Sequence, residues 1–345
     1  MYIYFAKQGD ETLQITSKPK RVLHTFKIMN RGGAETLIMN IYRHINREEV
    51  QFDFAVHSDI TGHYDDEIRS LGGRILRLPD PKKDIKAYTR SLQKILRNHG
   101  PFMGVHSHLL FFNGAVLYIA NREGIPIRIA HSHSTKDGYA LNLKRKTYHY
   151  IMRKLIHSNA THMLGCSREA CEYLFGKKCW DDNRVKILKN AIDLKPYEQT
   201  NLISKEEIRK SLSLPIDVPI IGHVGRFHHL KNHRFIIDIF ERIKRKLPDA
   251  QLVLVGDGPE KEAIEALVQK KNLEEQVHFL GIRSDVPLII NAFDTFLFPS
   301  LYEGLGIVVI EAQAAGLTCV CSDTVPREVD VGLGLTKFLN LNQPL

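Results

Sequence analysis

The regular alternation of short apolar segments with longer segments of helical periodicity constrains the fold most. Segments of strand character lie at 21–26, 52–57, 73–78, 103–108, 125–131, 161–166 and 184–188, and then at 219–225, 250–256, 276–281, 294–300 and 317–323. Helical periodicity separates them, for example at 34–46, 85–98, 232–246 and 259–271. Strands alternating with helices predict an α/β fold with parallel sheets, and the nearly continuous apolar strands predict helices on both faces.

The alternation pauses at residues 190–207, a polar stretch that contains Pro196. With 345 residues, the chain is long enough for two domains. We therefore predict two doubly wound, Rossmann-like domains, 1–195 and 196–345, that face each other across a cleft. Residues 1–20 are expected to be an atypical extension before the first strand. Ligands of such sheets bind beyond the carboxyl ends of the strands.

The net charge of +9 is unevenly distributed. Residues 1–195 hold 32 Lys and Arg against 19 Asp and Glu, whereas residues 196–345 hold 16 against 20. This asymmetry predicts an anionic partner for the first domain. Residues 143–160 have the pattern of a basic amphipathic helix, which predicts contact with an anionic membrane surface, unless it is an ordinary packing helix with a solvated face. No nucleic-acid-binding motif is present, so nucleic acid is not an expected partner.

Cysteine spacing and hydropathy indicate the compartment. None of the five cysteines forms a C-x-x-C pair, so buried thiols are expected rather than a zinc site or a redox pair. No signal peptide is recognisable, and no apolar stretch approaches the roughly 18 residues of a membrane span. We expect a cytoplasmic protein, either free or peripheral at the inner face of the membrane.

Two loops follow the first strand of each predicted domain. In "MNRGGAE" (29–35), Gly32 and Gly33 would let the backbone approach an anion at a helix N-terminus, although a tight turn alone explains them as well. In "VGRFHHLKNH" (224–233), Arg226 and Lys231 could converge on a diphosphate, or could be solvated surface charges. No G-x-G-x-x-G fingerprint occurs, which argues against a dinucleotide cofactor.

The segment "SLYEGLGIVVIEAQAAG" (300–316) predicts a helix that begins near Leu305 and ends before Gly316. Its start would expose backbone N–H groups to phosphate or sugar oxygens. Glu303 before the helix and Glu311 within it could accept hydrogen bonds from sugar hydroxyls. The alternative is that Glu303 complements the helix dipole while Glu311 points to solvent.

Histidines cluster at predicted strand ends, at positions 106, 108, 131 and 133. They could bind a metal, bond a substrate hydroxyl, or be satisfied inside a loop. No D-x-D pair occurs, and no carboxylates accompany the histidines nearby. We predict that no metal is required, and that a histidine of this cluster bonds a substrate hydroxyl in the cleft.

Together, "MNRGGAE", "GRFHHLKNH", "VGDGPE" and "SLYEGLGIVVIEAQAAG" resemble the motifs of the family 4 glycosyltransferases, which have the GT-B fold, and among them the EpsF-type exopolysaccharide enzymes. The last motif matches the E-x7-E signature of the family. The resemblance covers residues 20–345. It departs where Ala191 replaces the usual glycine, where Leu305 replaces a phenylalanine, and at the chain end, where the family continues into C-terminal helices; the second domain is therefore expected to be truncated.

The resemblance implies roles for individual residues. The catalytic set would be His133, Glu303, Arg226 and Lys231. The donor-binding set would be Gly32, Gly33, Gly225, Gly256, Ile282, Gly304, Leu305, Gly306, Ile307 and Glu311. In this scheme Arg226 and Lys231 hold the donor diphosphate, Glu311 the ribose and Glu303 the sugar.

The resemblance also implies an activity: metal-independent, retaining transfer of a hexosyl or N-acetylhexosaminyl group. The donor would be a nucleotide sugar, in the first place a UDP-sugar, without any cofactor. The acceptor would be a saccharide or a lipid-linked glycan in exopolysaccharide or cell-surface glycan synthesis. The alternatives are a catalytically impaired sugar-nucleotide-binding protein and a GT-B sugar-nucleotide epimerase.

Overall fold

A computed structural model describes residues 18–137 and 140–341; most of the predicted extension, 1–20, lies outside these residues. The first sheet contains seven parallel strands in the order β3-β2-β1-β4-β5-β6-β7. These strands are β1 Lys20–Phe26, β2 Val50–Val56, β3 Ile75–Arg77, β4 Phe102–Ser107, β5 Ile127–Ser132, β6 His162–Gly165 and β7 Val185–Ile187.

The second sheet repeats this arrangement with six parallel strands in the order β10-β9-β8-β11-β12-β13. Its strands are β8 Ile220–Val224, β9 Gln251–Val255, β10 Val277–Phe279, β11 Thr295–Phe298, β12 Thr318–Ser322 and β13 Thr336–Leu339. In each sheet the strand order reverses beside the first strand, between β1 and β4 and between β8 and β11. Ligands of open α/β sheets bind at such switch points.

Helices of the described residues connect the strands. In the first domain they are α1 Gly33–His44, α2 Asp65–Ser70, α3 Ile85–Asn98, α4 Asn113–Arg122, α5 Leu143–Asn159 and α6 Arg168–Phe175. The others are α7 Lys195–Thr200, α8 Lys205–Ser211, α9 His233–Lys246, α10 Lys261–Lys270, α11 Val286–Asn291 and α12 Ile307–Ala314.

Helix α9 illustrates how the sequence places its helices. Its buried positions, His233, Ile236, Ile237 and Phe240, recur at a spacing of three and four residues, so they share one face. That face packs into an apolar cluster with β9 residues such as Leu252 and Leu254. Strand β9 is buried at every position, because helices cover both of its faces.

The predicted α/β architecture of two doubly wound parallel sheets is confirmed. All twelve predicted strands are present, and β13 was not predicted. The polar stretch at 190–207 is partly helical: α7 lies within it, and α8 begins within it. Both helices pack against α11. All five cysteines are buried, as expected. Within the described ranges, no helix is both long and apolar enough to traverse a bilayer.

Candidate functional site

The carboxyl ends of both sheets meet across the cleft. The loop after β1 contacts the second domain, where Arg31 Nη1 donates to the carbonyl oxygen of Arg283 at 2.9 Å. The loop after β5 does the same through Thr135 Oγ1, which donates to the carbonyl oxygen of Glu303 at 3.0 Å. The predicted motifs of the two domains are therefore neighbours.

At Gly304 the backbones of the two domains approach each other closely. A Cβ atom there would overlap the carbonyl oxygen of His133 and lie 3.1 Å from the backbone nitrogen of Ser134. Only glycine lets the loop after β11 pack this tightly against the loop after β5. Gly304 is thus required by shape, and it sets the distance between His133 and Glu303.

Two helix N-termini face each other across the same point. Helix α1 begins at Gly33 after the N-cap residue Gly32, and α12 begins at Ile307 after the N-cap residue Gly306, whose φ is 96°. A Cβ on Gly33 would lie 4.0 Å from Ile307 Cγ2. Both N-cap residues are glycines, which have no side chain to bond the first N–H groups of the helix. Both helices therefore direct free backbone N–H groups and positive dipole ends toward one region. This region suits an anion.

Glu35, in the first turn of α1, was not among the predicted site residues. Its carboxylate folds back over the helix start, so that a Cβ on Gly32 would overlap Glu35 Oε2. Burial raises the pKa of Glu35 to about 7. The glutamate of the "GGAE" motif was visible in the sequence, but its fold-back was not.

Lys231 and Glu303, predicted separately, form an ion pair. Lys231 Nζ lies 2.5 Å from Glu303 Oε1, and their side chains are 21% and 13% exposed. The ammonium also lies 4.7 Å from the centre of the Phe298 ring, a cation–π distance. The pair joins the loops after β8 and β11, at the switch point of the second sheet.

Arg226, five residues before Lys231, is exposed at the cleft, and no ion pair involving it occurs among the described residues. Two glycines nearby bring backbone together: a Cβ on Gly256, whose φ is 135°, would overlap the carbonyl oxygen of Gly225. The N–H of Gly256 donates to the carbonyl oxygen of Gly281 at 2.8 Å, beside the half-exposed Ile282. These loops form a continuous surface that includes Arg226 and Ile282.

Glu311 does not point to open solvent. Burial raises its pKa to about 7, and the Tyr197 hydroxyl, which hydrogen-bonds its carboxylate, opposes that rise. Tyr197 lies in α7, between the two sheets in the sequence, and gave no signal there. The side chain of Leu305, by contrast, lies in the core of the second domain, so only its backbone can serve the site.

The helix of the E-x7-E segment begins at Ile307, two residues later than predicted, and Gly316 follows its end with a φ of 76°. Ile307 therefore contributes the first helical N–H group, and Gly304 and Gly306 precede it. The predicted residues of this motif lie together around the N-terminus of α12.

Five histidines line the switch point of the first sheet, three on strands and two directly after them: His24 in β1, His106 and His108 at the end of β4, and His131 and His133 at the end of β5. His24 Nδ1 lies 3.1 Å from His108 Nε2, and His108 Nδ1 lies 2.8 Å from His133 Nε2. His106 Nε2 lies 3.2 Å from His131 Nδ1. The predicted four-histidine cluster is real, and His24 joins it.

These imidazoles are neutral at physiological pH. Burial lowers the pKa of His24 and of His133 to about 3, and it holds the pKa of His106, His108 and His131 well below the ordinary value of 6.5. A neutral imidazole presents one donor and one acceptor nitrogen. The cluster can therefore bond hydroxyl groups or supply metal ligands.

Helix α5 differs from the predicted amphipathic pattern. Of its basic residues, Arg145 bonds Asp137, and Arg153 donates to the carbonyl oxygens of Leu174 and Tyr173, so both point toward the protein. Leu143 and Ile151, which lie on the apolar side of the sequence pattern, are 79% and 47% exposed. They share the solvent side with Tyr150 and three lysines, Lys144, Lys146 and Lys154.

The chain matches two families in succession. Residues 31–196 match the family described as Glycosyltransferase Family 4, and residues 204–338 match Glycosyl transferases group 1. The chain is 40% identical over 332 residues to the glycosyltransferase EpsF of Bacillus subtilis strain 168, with 96% of this chain and 86% of EpsF aligned.

More distant relatives share the length and the fold. An Escherichia coli UDP-Gal:α-D-GlcNAc-diphosphoundecaprenol α-1,3-galactosyltransferase is 28% identical, with 90% of this chain and 81% of that enzyme covered. The crystal structure of Anabaena Alr3699/HepE in complex with UDP superimposes with a TM-score of 0.74 at 17% identity, covering 94% of this chain and 86% of that one.

Proposed function

Because the chain belongs to the family 4 glycosyltransferases with the GT-B fold, we propose that it transfers one sugar from a UDP-sugar, with retention of anomeric configuration, to a saccharide or lipid-linked acceptor. The product would be an exopolysaccharide or another cell-surface glycan. The sugar would be a hexose or an N-acetylhexosamine.

The facing N-termini of α1 and α12 carry this proposal. A diphosphate between them would meet backbone N–H groups from both domains. Each helix terminus contributes about 0.3–1 kcal/mol, and up to about 2 in favourable partly buried geometries. A cation about 4 Å from a phosphate oxygen contributes roughly 4 kcal/mol at an effective dielectric constant near 20. Arg226 and Lys231 would therefore supply most of the phosphate affinity, and the helices would orient the diphosphate.

Two of the proteins similar to this chain support UDP as the carrier. Structures of Alr3699/HepE are described as complexes with UDP, with UDP and glucose, and with UDP-glucose. The Escherichia coli relative is named for a UDP-galactose donor. At 17–19% identity, the structural likeness concerns the fold. The cleft described above supports a diphosphate, and the choice of uridine rests on the names of these proteins.

The remaining site residues receive roles by position. Glu303, beside Lys231, would accept hydrogen bonds from the hydroxyls of the donor sugar. Glu311 would accept them from the ribose, and Gly281 and Ile282 would contact the base. His133 would bond a hydroxyl of the donor or acceptor sugar on the opposite wall of the cleft.

In the proposed reaction, the acceptor hydroxyl attacks the anomeric carbon on the face of the leaving UDP. The bond from that carbon to the phosphate oxygen breaks, and the departing phosphate takes the hydroxyl proton. The protein must stabilise the negative charge that develops on this phosphate, which Arg226, Lys231 and two preoriented helix termini are arranged to do. No resident metal is needed for this step.

We place the acceptor side at an anionic membrane. Leu143, Tyr150 and Ile151 form an exposed apolar strip along α5, which Leu141 extends before the helix begins. The strip is flanked by Lys144, Lys146 and Lys154. Apolar residues of an interfacial helix enter the boundary between headgroups and acyl chains, and lysines bind anionic lipid. The helix follows the loop that contacts Glu303, so a lipid-linked acceptor held there would lie near the cleft. The Escherichia coli relative acts on such a diphosphoundecaprenol acceptor.

Calorimetric titration with a panel of nucleotide sugars, in the presence of EDTA, tests the donor site. We expect one UDP-sugar to bind without metal and the variants R226A and K231A to lose that affinity. The matched control is R234A, because Arg234 is an exposed arginine on the neighbouring helix α9. Equal affinity in R226A, K231A and R234A would contradict the proposed diphosphate site.

Turnover separates transfer from the two alternatives. Incubation of the donor with lipid-linked acceptor should release UDP and extend the glycan. A sugar-nucleotide-binding protein would bind the donor and release nothing. An epimerase would change the sugar of the donor in the absence of any acceptor.

A further inference from the structure

Three histidines of the switch-point cluster direct ring nitrogens toward a common point. His108, His131 and His133 each offer a nitrogen, and these three atoms lie within 4.8 Å of one another. His131 is fully buried, and the other two are partly buried at the cleft. The three imidazoles come from the ends of two adjacent strands, β4 and β5, and the sheet holds them in place.

The outer hydrogen bonds determine which nitrogens are available. His108 Nε2 is occupied by His24, so Nδ1 faces the common point. His131 Nδ1 is occupied by His106, so Nε2 remains, and this buried atom has no hydrogen-bond partner among the described residues. Metal-binding histidines nearly always bond a second group through their other ring nitrogen, which fixes the ring orientation. Two of the three histidines already have such an outer partner.

We propose that His108, His131 and His133 form a three-histidine site for a transition-metal ion of the Zn²⁺ class, with the fourth coordination position open to the cleft. Three neutral imidazoles and an open position are a common zinc arrangement. Imidazole ligands suit Zn²⁺, Co²⁺, Ni²⁺ or Cu²⁺, whereas Mg²⁺ and Mn²⁺ prefer oxygen ligands, which this cluster lacks.

For His108 and His133 the required rearrangement is small; the nitrogen of His131 lies within 4.8 Å of the other two and would have to move closer to the ion. His108 Nδ1 and His133 Nε2 lie 2.8 Å apart, the distance of a hydrogen bond between two imidazoles. At Zn–N distances of about 2.0–2.1 Å, tetrahedral ligand nitrogens lie roughly 3.3 Å apart, so the two rings must separate by about half an ångström. On binding, the proton of this bond would move to the outer nitrogen of the ring that carried it, so that each ligand stays a neutral imidazole.

Occupancy has a consequence for the transfer reaction, and this part rests on the proposed function. An ion that binds His133 removes that imidazole from contact with a sugar hydroxyl. The metal would therefore inhibit an enzyme that needs none, and EDTA would restore activity.

Cobalt titration of the full chain, freed of any affinity tag, tests the site without using turnover. Co²⁺ should bind one ion per chain with the intense visible absorption of tetrahedral coordination, and Zn²⁺ should displace it. The variant H131Q should lose the absorption. H106Q, which removes the outer partner of His131, should weaken binding about 10–100-fold. The control H99Q replaces an exposed histidine outside the cluster and should bind like the parent chain.

A weak octahedral spectrum, or equal Co²⁺ binding by H131Q, H106Q and H99Q, would overturn the site and leave the histidines as a hydrogen-bonded chain. If H131Q fails to fold, Co²⁺ binding by H106Q decides whether the site exists. If both variants fail to fold, the stoichiometry and the spectrum of the parent chain decide. Inhibition by Zn²⁺ that persists in H131Q would disprove the inhibitory consequence alone. If the parent chain binds no nucleotide sugar in the calorimetric experiment, the proposed function is contradicted and the cobalt result is unaffected.

Discussion

Lys231 and Glu303 are ion-paired at 2.5 Å across the switch point of the second sheet. Each residue satisfies the charge of the other, and both are proposed ligands of the donor. Binding of a UDP-sugar must therefore exchange one set of partners for another, with phosphate oxygens on Lys231 and sugar hydroxyls on Glu303.

The two residues should separate phosphate binding from sugar transfer. We expect K231A to weaken binding of free UDP about 10–100-fold, because a hydrogen bond to a charged group is worth about 1.5–3 kcal/mol. E303Q should retain UDP binding, since Lys231 is then free for phosphate, but should lose transfer. Calorimetry with UDP and turnover with UDP-sugar measure the two effects. Equal loss of UDP affinity in both variants would contradict this division.

Glu311 makes donor binding depend on pH. Its pKa of about 7 in the free chain should fall when ribose hydroxyls donate to the carboxylate, because these bonds favour the ionised form. Binding therefore releases protons near neutral pH, and UDP-sugar affinity should rise as the pH increases from about 5 to 7 and then level off. Calorimetry in buffers of different ionisation enthalpy counts the protons. In E311Q the proton release should vanish; if it persists, another group titrates.

Gly304 should be needed for turnover more than for stability. In G304A the added Cβ would overlap the carbonyl oxygen of His133 and push the domains apart. A displacement of 1 Å at a reacting centre can cost about 100-fold in rate, so a loss of kcat of that order is expected with little change in thermal unfolding. G124A is the contrasting variant, because a Cβ at Gly124 meets no atom within 4 Å but the φ of 74° is unfavourable for alanine; it should lower thermal stability and leave kcat unchanged. Normal kcat in G304A would contradict the tight approach.

The exposed strip of α5 predicts binding to anionic vesicles. The chain should sediment with vesicles containing phosphatidylglycerol but much less with pure phosphatidylcholine. Replacing Lys144, Lys146 and Lys154 by Gln should cost about 1 kcal/mol each, and L143E should reduce binding further. L202E is the control, because Leu202 is 88% exposed and lies outside the strip. Vesicle binding unaffected by the lysine changes would exclude α5 as the membrane contact.

His233 should make the fold sensitive to acid. Burial lowers its pKa from 6.5 to about 4, so the unfolded chain binds a proton that the folded chain does not. Stability is therefore present above pH 6.5 and falls as the pH drops toward 4, by up to about 1.4 kcal/mol per pH unit for this group. Urea unfolding at several pH values measures the slope. H233F removes the titrating group and should reduce this slope. The variant should still fold, because the His233 ring stacks on Phe227 at 4.1 Å and its nitrogens have no hydrogen-bond partner among the described residues. An unchanged slope would contradict the prediction, and H99Q serves as the exposed control.

Periodicity predicted most of the fold because buried parallel strands are continuous apolar runs. It missed β13, Thr336–Leu339, whose residues are only half-buried or exposed at the sheet edge. Short polar helices such as α7 lack enough turns to show a period.

The site was predictable where one loop carries the chemistry and less so where distant segments meet. Glu303 and Lys231 could be identified from their motifs, but their mutual ion pair depends on tertiary packing. Tyr197, which bonds Glu311, lies 114 positions away and carries no motif. The inward direction of Arg145 and Arg153 likewise depends on neighbours that periodicity does not show. Only the structure therefore shows which residues of α5 face the solvent.

The facing N-termini of α1 and α12 divide the anion site between the two domains. Each half alone would hold a diphosphate weakly, and once one half has captured it, the other binds at high effective concentration. A bound diphosphate would therefore hold the two domains together, and its affinity would depend on the fraction of time that the cleft is closed. Product departure must then begin with their separation, so the lifetime of the bound UDP would set the pace of successive additions to a growing glycan.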